Sequence, residues 1–360
     1  MKKIVFVSGN MSHSGGTERV LSVIANGLAA RGYAVSIISF GGDGKSFFAL
    51  SEEVKLLWLY EDNPMKAIVR LLRKYRAALT QEQPDVLVDV DNILCLYTLP
   101  AKGAVPGVKW ISWEHFNYYY PFPVNHNLRR LVRRLVCRYA DQIVVLSKED
   151  MGYYLENRKI RGAITQIYNP TPYEGGCVHI TESEETEKKI VLAAGRLTAI
   201  KGFDMLIESW KLLENRFPDW KLVIAGEGED RAALEQQIAD AGLTHVELPG
   251  RISDMATMYQ QAELFVLPSR GEGFVMVLLE AMAFSLPAVA FACKAGVKEV
   301  ISDGENGYLA ELGDIECFAD RMARLMEDDA LRYRMGDAAK KSMEQFKTEN
   351  ILDEWEKLLE

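Results

Sequence analysis

Two glutamates in the stretch PSRGEGFVMVLLEAMAFSLP, Glu272 and Glu280, are separated by seven residues across a strand-to-helix turn marked by Gly273. With residues from about Phe274 onward helical, a rise of 1.5 Å per residue puts the pair roughly 12 Å apart, the span from the sugar to the ribose of a nucleotide sugar. Each carboxylate could then accept hydroxyl hydrogen bonds at one end of such a ligand. A solvent-facing helix position is the alternative for Glu280. It is flanked by apolar residues, however, and a carboxylate in such a setting requires a partner or a ligand.

A second group is GRLTAIKGFD, where Arg196 and Lys201 lie just past an apolar run and before a helical pattern. Two cations there can converge on a pyrophosphate leaving group and stabilise the charge that grows as it departs. In isolation they read equally as solvated loop cations. A third is SGNMSHSGGTERV, in which Gly15 and Gly16 precede a helix. Glycines let a ligand approach the backbone, and a helix N-terminus attracts anions; a tight turn without ligand is the competing reading. The loop lacks both G-x-G-x-x-G and GK[ST], so neither a dinucleotide fold nor a P-loop kinase is supported. His115, in KWISWEHFNYYY, is either a site residue or a core histidine. Asp89 and Asp91 form a D-x-D, but they follow an apolar strand and read as a loop or acceptor-side feature rather than a metal site.

The elements that must position these residues alternate strand and helix. KIVFVSG, a helix from about Thr17, AVSIISF, PDVLVDVD, KWISWEH, QIVVLSK and AITQIYN fill residues 1–170. Residues 171–189 break the rhythm with proline, glycine and charge and read as a linker. Residues 190–345 restart it with KIVLAAGRL, a helix through Phe203 to Phe217, WKLVIAGEGED, a helix through Ala232 to Ala241, HVELPGRI, ELFVLPS and PAVAFAC. Residues 346–360 form a terminal helix that could pack back on the first domain. The pattern predicts two doubly wound parallel α/β sheets, with ligands outside the carboxyl ends of the strands and a cleft between the two halves as the expected active site.

At 360 residues the chain suits two such domains, and 48% apolar with 26% charged residues is the profile of a globular chain rather than a disordered one. The five cysteines, Cys95, Cys137, Cys177, Cys293 and Cys317, show no CxxC or Cys/His pairing, which points to a reducing compartment without a zinc site. The first residues hold too short an apolar run for a signal peptide. Phe274 to Cys293 is long enough for a membrane span, but Glu280 and Pro287 interrupt it, so a buried helix followed by a buried strand is expected.

Gly15–Gly16, Glu114–His115, Arg196 and Lys201, the GEGED turn at Gly226 to Asp230, and the pair Glu272 and Glu280, in this order, resemble the group 1 glycosyltransferases of glycosyltransferase family 4. The likeness runs from the first strand to the last helices. It implies a GT-B fold whose two Rossmann-like domains face a cleft, an NDP-sugar donor held mainly by the C-terminal domain, and an acceptor on the N-terminal one. It further implies hexosyl transfer with retained configuration and neither a metal nor a cofactor. By the family pattern Arg196 and Lys201 hold the diphosphate and Gly16 approaches it, with Gly15 beside it. Glu272 contacts the donor sugar, Glu280 the ribose, and His115 lies near the transferred sugar. Arg251, Ile252, Gly273, Phe274, Val275 and Met276 complete the base and phosphate pocket. UDP-hexose or UDP-N-acetylhexosamine is the donor this family suggests. The departing phosphate deprotonates the acceptor, so no protein nucleophile is expected. The alternatives are a GT-B sugar-nucleotide epimerase and an inactive nucleotide-sugar-binding protein; an NAD-dependent oxidoreductase lacks its fingerprint.

The first 180 residues carry a net charge of +6 and the last 180 one of −15. Two basic helical stretches account for much of the asymmetry: MKAIVRLLRKYRAAL, with Lys66, and NLRRLVRRLVCRYA, with Arg130, Arg133, Arg134 and Arg138 at helical spacing. They are either solvated faces or a surface for anionic phospholipid or a lipid-linked pyrophosphate acceptor, with the aromatics Phe116, Tyr118, Tyr119, Tyr120 and Phe122 nearby. A cytoplasmic protein, peripheral on the inner face of the cell membrane, is the corresponding expectation. Nucleic acid is not an expected partner of so acidic a chain.

Overall fold

The computed structural model describes residues 1–59, 68–120, 126–173, 188–294 and 296–360. Lys66, Phe122, Cys177 and linker residues 174–187 lie outside the described residues. The chain divides into two compact units, one made of Met1–Pro172 with Thr348–Glu360 and the other of Tyr173–Lys347.

The first unit holds a seven-stranded sheet: β1 (Lys3–Asn10), β2 (Ala34–Gly41), β3 (Lys55–Trp58), β4 (Val86–Val90), β5 (Lys109–Trp113), β6 (Gln142–Val145) and β7 (Ala163–Gln166). Its order is β3-β2-β1-β4-β5-β6-β7, every pair parallel. Ile4 to Val7, Leu87 to Val90 and Trp110 to Trp113 are buried almost without exposure, as parallel strands covered on both faces require. The strands are linked through α1 (Gly16–Ala30), α2 (Ile68–Glu82), α3 (Cys95–Ala101), α4 (His126–Tyr139) and α5 (Lys148–Asn157), helices of the kind that cover both faces of such a buried parallel sheet. The last helix of the chain, α13 (Thr348–Leu359), lies against α1.

The second unit repeats the scheme in six strands, β8 (Lys189–Ala194), β9 (Trp220–Ala225), β10 (Val246–Gly250), β11 (Ala262–Leu267), β12 (Ala288–Phe291) and β13 (Gly307–Ala310), ordered β10-β9-β8-β11-β12-β13. Its helices include α6 (Phe203–Lys211), α7 (Arg231–Asp240), α8 (Met255–Gln261), α9 (Met276–Ala283), α10 (Val297–Val300), α11 (Ile315–Glu327) and α12 (Asp329–Ser342). The helix expected to reach Phe217 ends at Lys211, and the chain continues to Phe217 in hydrogen-bonded turns. The apolar run from Phe274 to Cys293 is a buried helix, α9, then a buried strand, β12. Among the described residues no helix is long and apolar enough to cross a membrane. Strands β3 and β13, four residues each, are additions to the elements legible in the sequence.

In each sheet the strand order reverses once, between β1 and β4 and between β8 and β11. The loops after these strands carry Gly15 and Asp91 in the first unit and Arg196, Lys201 and Glu272 in the second. Such reversal points are where doubly wound sheets bind ligands.

Candidate active site

In the second unit two loops are locked together and present opposite charges. After β8 the chain enters a short 3₁₀ turn at Ala199–Lys201, and Gly202, at φ 68°, starts α6. A side chain on Gly202 would lie 2.1 Å from the Pro268 carbonyl, so only glycine allows the two loops this approach. Arg270 completes the joint: its guanidinium donates to both oxygens of Asp204 at 2.7 and 2.6 Å and to the Ala199 carbonyl at 2.7 Å, and its amide donates to Ile200 at 2.8 Å. The Arg270 guanidinium holds the Asp204 carboxyl below its ordinary range.

Across that joint Lys201 Nζ reaches both oxygens of Glu272, at 2.7 and 2.8 Å, and Ser269 Oγ donates to Glu272 Oε1 at 2.6 Å. Glu272 is only 6% exposed. Charge-assisted contacts therefore preorganise a cation beside a carboxylate where β11 and β8 end. Arg196 is exposed and, among the described residues, has no ion-pair partner. Its loop is fixed from behind: Gly226, at φ 152°, brings its Cα so close that an added Cβ would lie 1.8 Å from the Gly195 carbonyl, and Leu197 bonds Glu227 and Asp230 through the backbone. Glu280, on α9 and 7% exposed, accepts from the Tyr259 hydroxyl at 2.8 Å. Phe274 and Val275 are buried, Gly273, Met276 and Ile252 half-buried, and Arg251 exposed.

In the first unit Gly15 is the N-cap of α1, and Glu18 folds back so that its carboxylate accepts from the Gly15 amide. Burial raises the Glu18 pKa. Gly16, the first helical residue, is exposed. His115 stands two residues past β5, 6% exposed, its ring centroid 4.4 Å from that of Trp113. Its Nε2 is buried and has no hydrogen-bond partner among the described residues. Burial holds its pKa down at about 4, so the imidazole is neutral at physiological pH.

Glu114 turns the other way. It accepts from Asn92 Nδ2, from the Tyr154 hydroxyl at 2.9 Å and from the Phe116 amide at 3.2 Å, and burial pushes its pKa up against the nearby Arg133. The D-x-D is split in the same way. Asp89 is fully buried, accepting from Thr98 and Trp110 at 2.7 and 3.0 Å, while Asp91 pairs with Arg129.

One expectation needs correction. Arg130, Arg134 and Arg138 are exposed on α4, but Arg133 is 5% exposed and points inward. It donates to the Tyr118 and Asn117 carbonyls at 2.6 and 3.0 Å and lies 3.8 Å from Glu114. Arg133 therefore anchors α4 to the core and is no part of a docking face. Ser269, Tyr259, Arg270 and Asp204 went unrecognised from sequence; the Ser before the R-G-E-G turn was the one local signal available.

Comparison with known proteins decides the family. Residues 14–174 match Glycosyltransferase Family 4 and residues 179–342 match Glycosyl transferases group 1. An uncharacterized glycosyltransferase of Haemophilus influenzae is 34% identical over the full length of both chains. The chain belongs to the group 1 glycosyltransferases. A Campylobacter jejuni relative, GalNAc-alpha-(1->4)-GalNAc-alpha-(1->3)-diNAcBac-PP-undecaprenol alpha-1,4-N-acetyl-D-galactosaminyltransferase, is 30% identical over all of this chain and 98% of that one. In fold the glycosyltransferase is similar to sucrose-phosphate synthase from Thermosynechococcus elongatus, with a TM-score of 0.84, 20% identity and coverage of 100% and 98%. It is similar also to S. aureus TarM, at a TM-score of 0.82, 16% identity and coverage of 99% of each chain. The architecture is GT-B.

Proposed function

We propose that this glycosyltransferase moves a hexosyl unit from an NDP-sugar, with UDP as the expected nucleotide, to a lipid-linked or growing polysaccharide acceptor in bacterial surface glycan synthesis, with retained anomeric configuration and without a metal. The observation that carries the reading is the joined pair of loops that sets Lys201 against Glu272 and Ser269 at the sheet's reversal point, with Arg196 exposed on the loop that carries Lys201. A diphosphate entering there competes with Glu272 for Lys201, and Glu272 is released toward the sugar hydroxyls. Lys201 and Arg196 then stabilise the charge that develops on the leaving diphosphate. Glu280, oriented by Tyr259, takes the ribose. A neutral His115 whose Nε2 has no partner among the described residues suits a hydrogen bond to the transferred sugar. The acceptor proton passes to the departing phosphate on the same face, so no side chain serves as nucleophile.

The acceptor class is supported by the undecaprenol-linked substrate in the Campylobacter relative's name and by a 27% identical Erwinia amylovora relative named for amylovoran biosynthesis. Anchoring at the inner face of the cell membrane is part of the same proposal. On α4, Arg130, Arg134 and Arg138 are exposed together with Leu131 and Tyr139, a basic surface with apolar side chains suited to anionic headgroups.

The test is thermal melting with UDP, GDP, ADP and their hexose conjugates in the presence of a chelator. A ligand that binds the folded state raises the melting temperature. One nucleotide family stabilising the protein without metal supports the reading; no shift with any of them overturns metal-free donor binding.

A further inference from the structure

From His115 a series of aromatic rings in contact runs through the C-terminal helix. His115 meets Trp113 at 4.4 Å, and Trp113 meets Trp355 of α13 at 4.8 Å, with planes at 70°. Trp355 in turn meets Phe6 of β1 at 6.3 Å. Trp113 and Trp355 are at most 1% exposed, and among the described residues neither indole nitrogen has a hydrogen-bond partner. His115 Nε2 is likewise without a partner among the described residues, so the tilted packing of its ring on Trp113, with planes at 49°, orients the imidazole, while the edge-to-face contact of Trp113 with Trp355 fixes Trp113 in turn.

The helix carrying Trp355 is itself held firmly. Ile351, Leu352, Trp355 and Leu359 form its buried face. Leu352 sits on Gly27 of α1, where an added Cβ would lie 2.4 Å from Leu352 Cδ1. Arg31 pairs with Asp353 and Glu356, each at 2.6 Å, and Lys109 donates to the Leu358 carbonyl at 2.5 Å. We infer that Trp355 is a positioning residue, setting the His115 imidazole through Trp113, so that the last helix of the chain is part of the catalytic apparatus. The inference rests on the reading of His115 as facing the transferred sugar.

The experiment compares Trp355→Leu, Trp355→Phe and His115→Ala in the full chain, measuring kcat, donor KM and the NMR titration of the His115 ring. Trp355→Leu is expected to lower kcat by about 10- to 100-fold, the scale of a misplaced reacting group, and to leave donor KM within about twofold. The His115 pKa, about 4 in the native chain, moves up as water reaches the ring. Trp355→Phe keeps an aromatic edge and folds with a smaller loss, which preserves the comparison if the leucine variant unfolds. Added to His115→Ala, Trp355→Leu lowers kcat no further. Unchanged kcat and an unmoved His115 titration in folded Trp355 variants, beside an impaired His115→Ala, overturn the inference alone. Full activity in His115→Ala overturns instead the reading of His115 on which it rests.

Discussion

Lys201 and Glu272 lie 71 positions apart in sequence yet make contact on both carboxylate oxygens. Their residue types and their places after apolar strands were legible in the sequence; their pairing was not, because it depends on how two loops close over Gly202. Lys201→Ala is expected to weaken donor binding about 10- to 100-fold by calorimetry, the scale of a lost bond to a charged group, while circular dichroism stays native. Unchanged affinity in the folded variant would remove Lys201 from the donor site. For Glu280 the apolar flanks signalled that a partner was needed, and Tyr259 supplies one. What a single sequence could not reveal is which hydroxyl that would be, since Tyr259 belongs to another helix, α8.

At the scale of the element, α4 illustrates what periodicity reveals and conceals. Four arginines at helical spacing looked alike, yet Arg133 is buried against Glu114, and Arg130, Arg134 and Arg138 face outward. The difference arises from Tyr118, Asn117 and Glu114 on a distant turn, which no spacing rule within the helix reports. Two contrasting outcomes follow. Arg133→Ala leaves a buried carboxylate without its countercharge and is expected to cost about 3–5 kcal/mol of stability in denaturant unfolding. Reversing Arg130, Arg134 and Arg138 to glutamate is expected to leave the melting temperature within a few degrees and to reduce co-sedimentation with anionic liposomes at least about fivefold, since each basic residue near such a surface contributes on the order of 1 kcal/mol. Equal co-sedimentation of wild type and triple variant would remove the membrane from the proposal. Strands β3 and β13 escaped notice for a related reason: four residues give too short a pattern to separate strand from loop.

Across the whole molecule, the strand and helix alternation carried the two-sheet architecture into the sequence, because parallel strands buried on both faces must read as apolar runs. Buried charge was the part it did not carry. Burial raises the pKa of both Asp89 and Asp150 to about 7 from an ordinary value of 3.8. Raised carboxyl values mean that the folded chain binds protons the unfolded chain does not, so their contribution to stability is complete below about pH 4 and is lost as pH rises through about 7. His115, lowered to about 4, acts in the opposite sense, its contribution being lost as pH falls from about 6.5 through 4. Melting temperature is therefore expected to rise as pH is lowered from 8 to 6.5, and Asp89→Asn should flatten that rise; an identical slope in the variant would show that Asp89 ionises normally in the fold.

The proposed function requires that the charged loops of the second unit bind an NDP-sugar and that its glycosyl unit leave with retained configuration. The direct measurement is proton NMR of the first sugar released when the stabilising donor is hydrolysed slowly with water as acceptor, in chelator, at enzyme levels high enough to outrun mutarotation. An α-linked donor giving the α-anomer first, with release abolished in Glu272→Gln, is the predicted result. Release of the β-anomer first would contradict retention and with it the assignment of roles at the site.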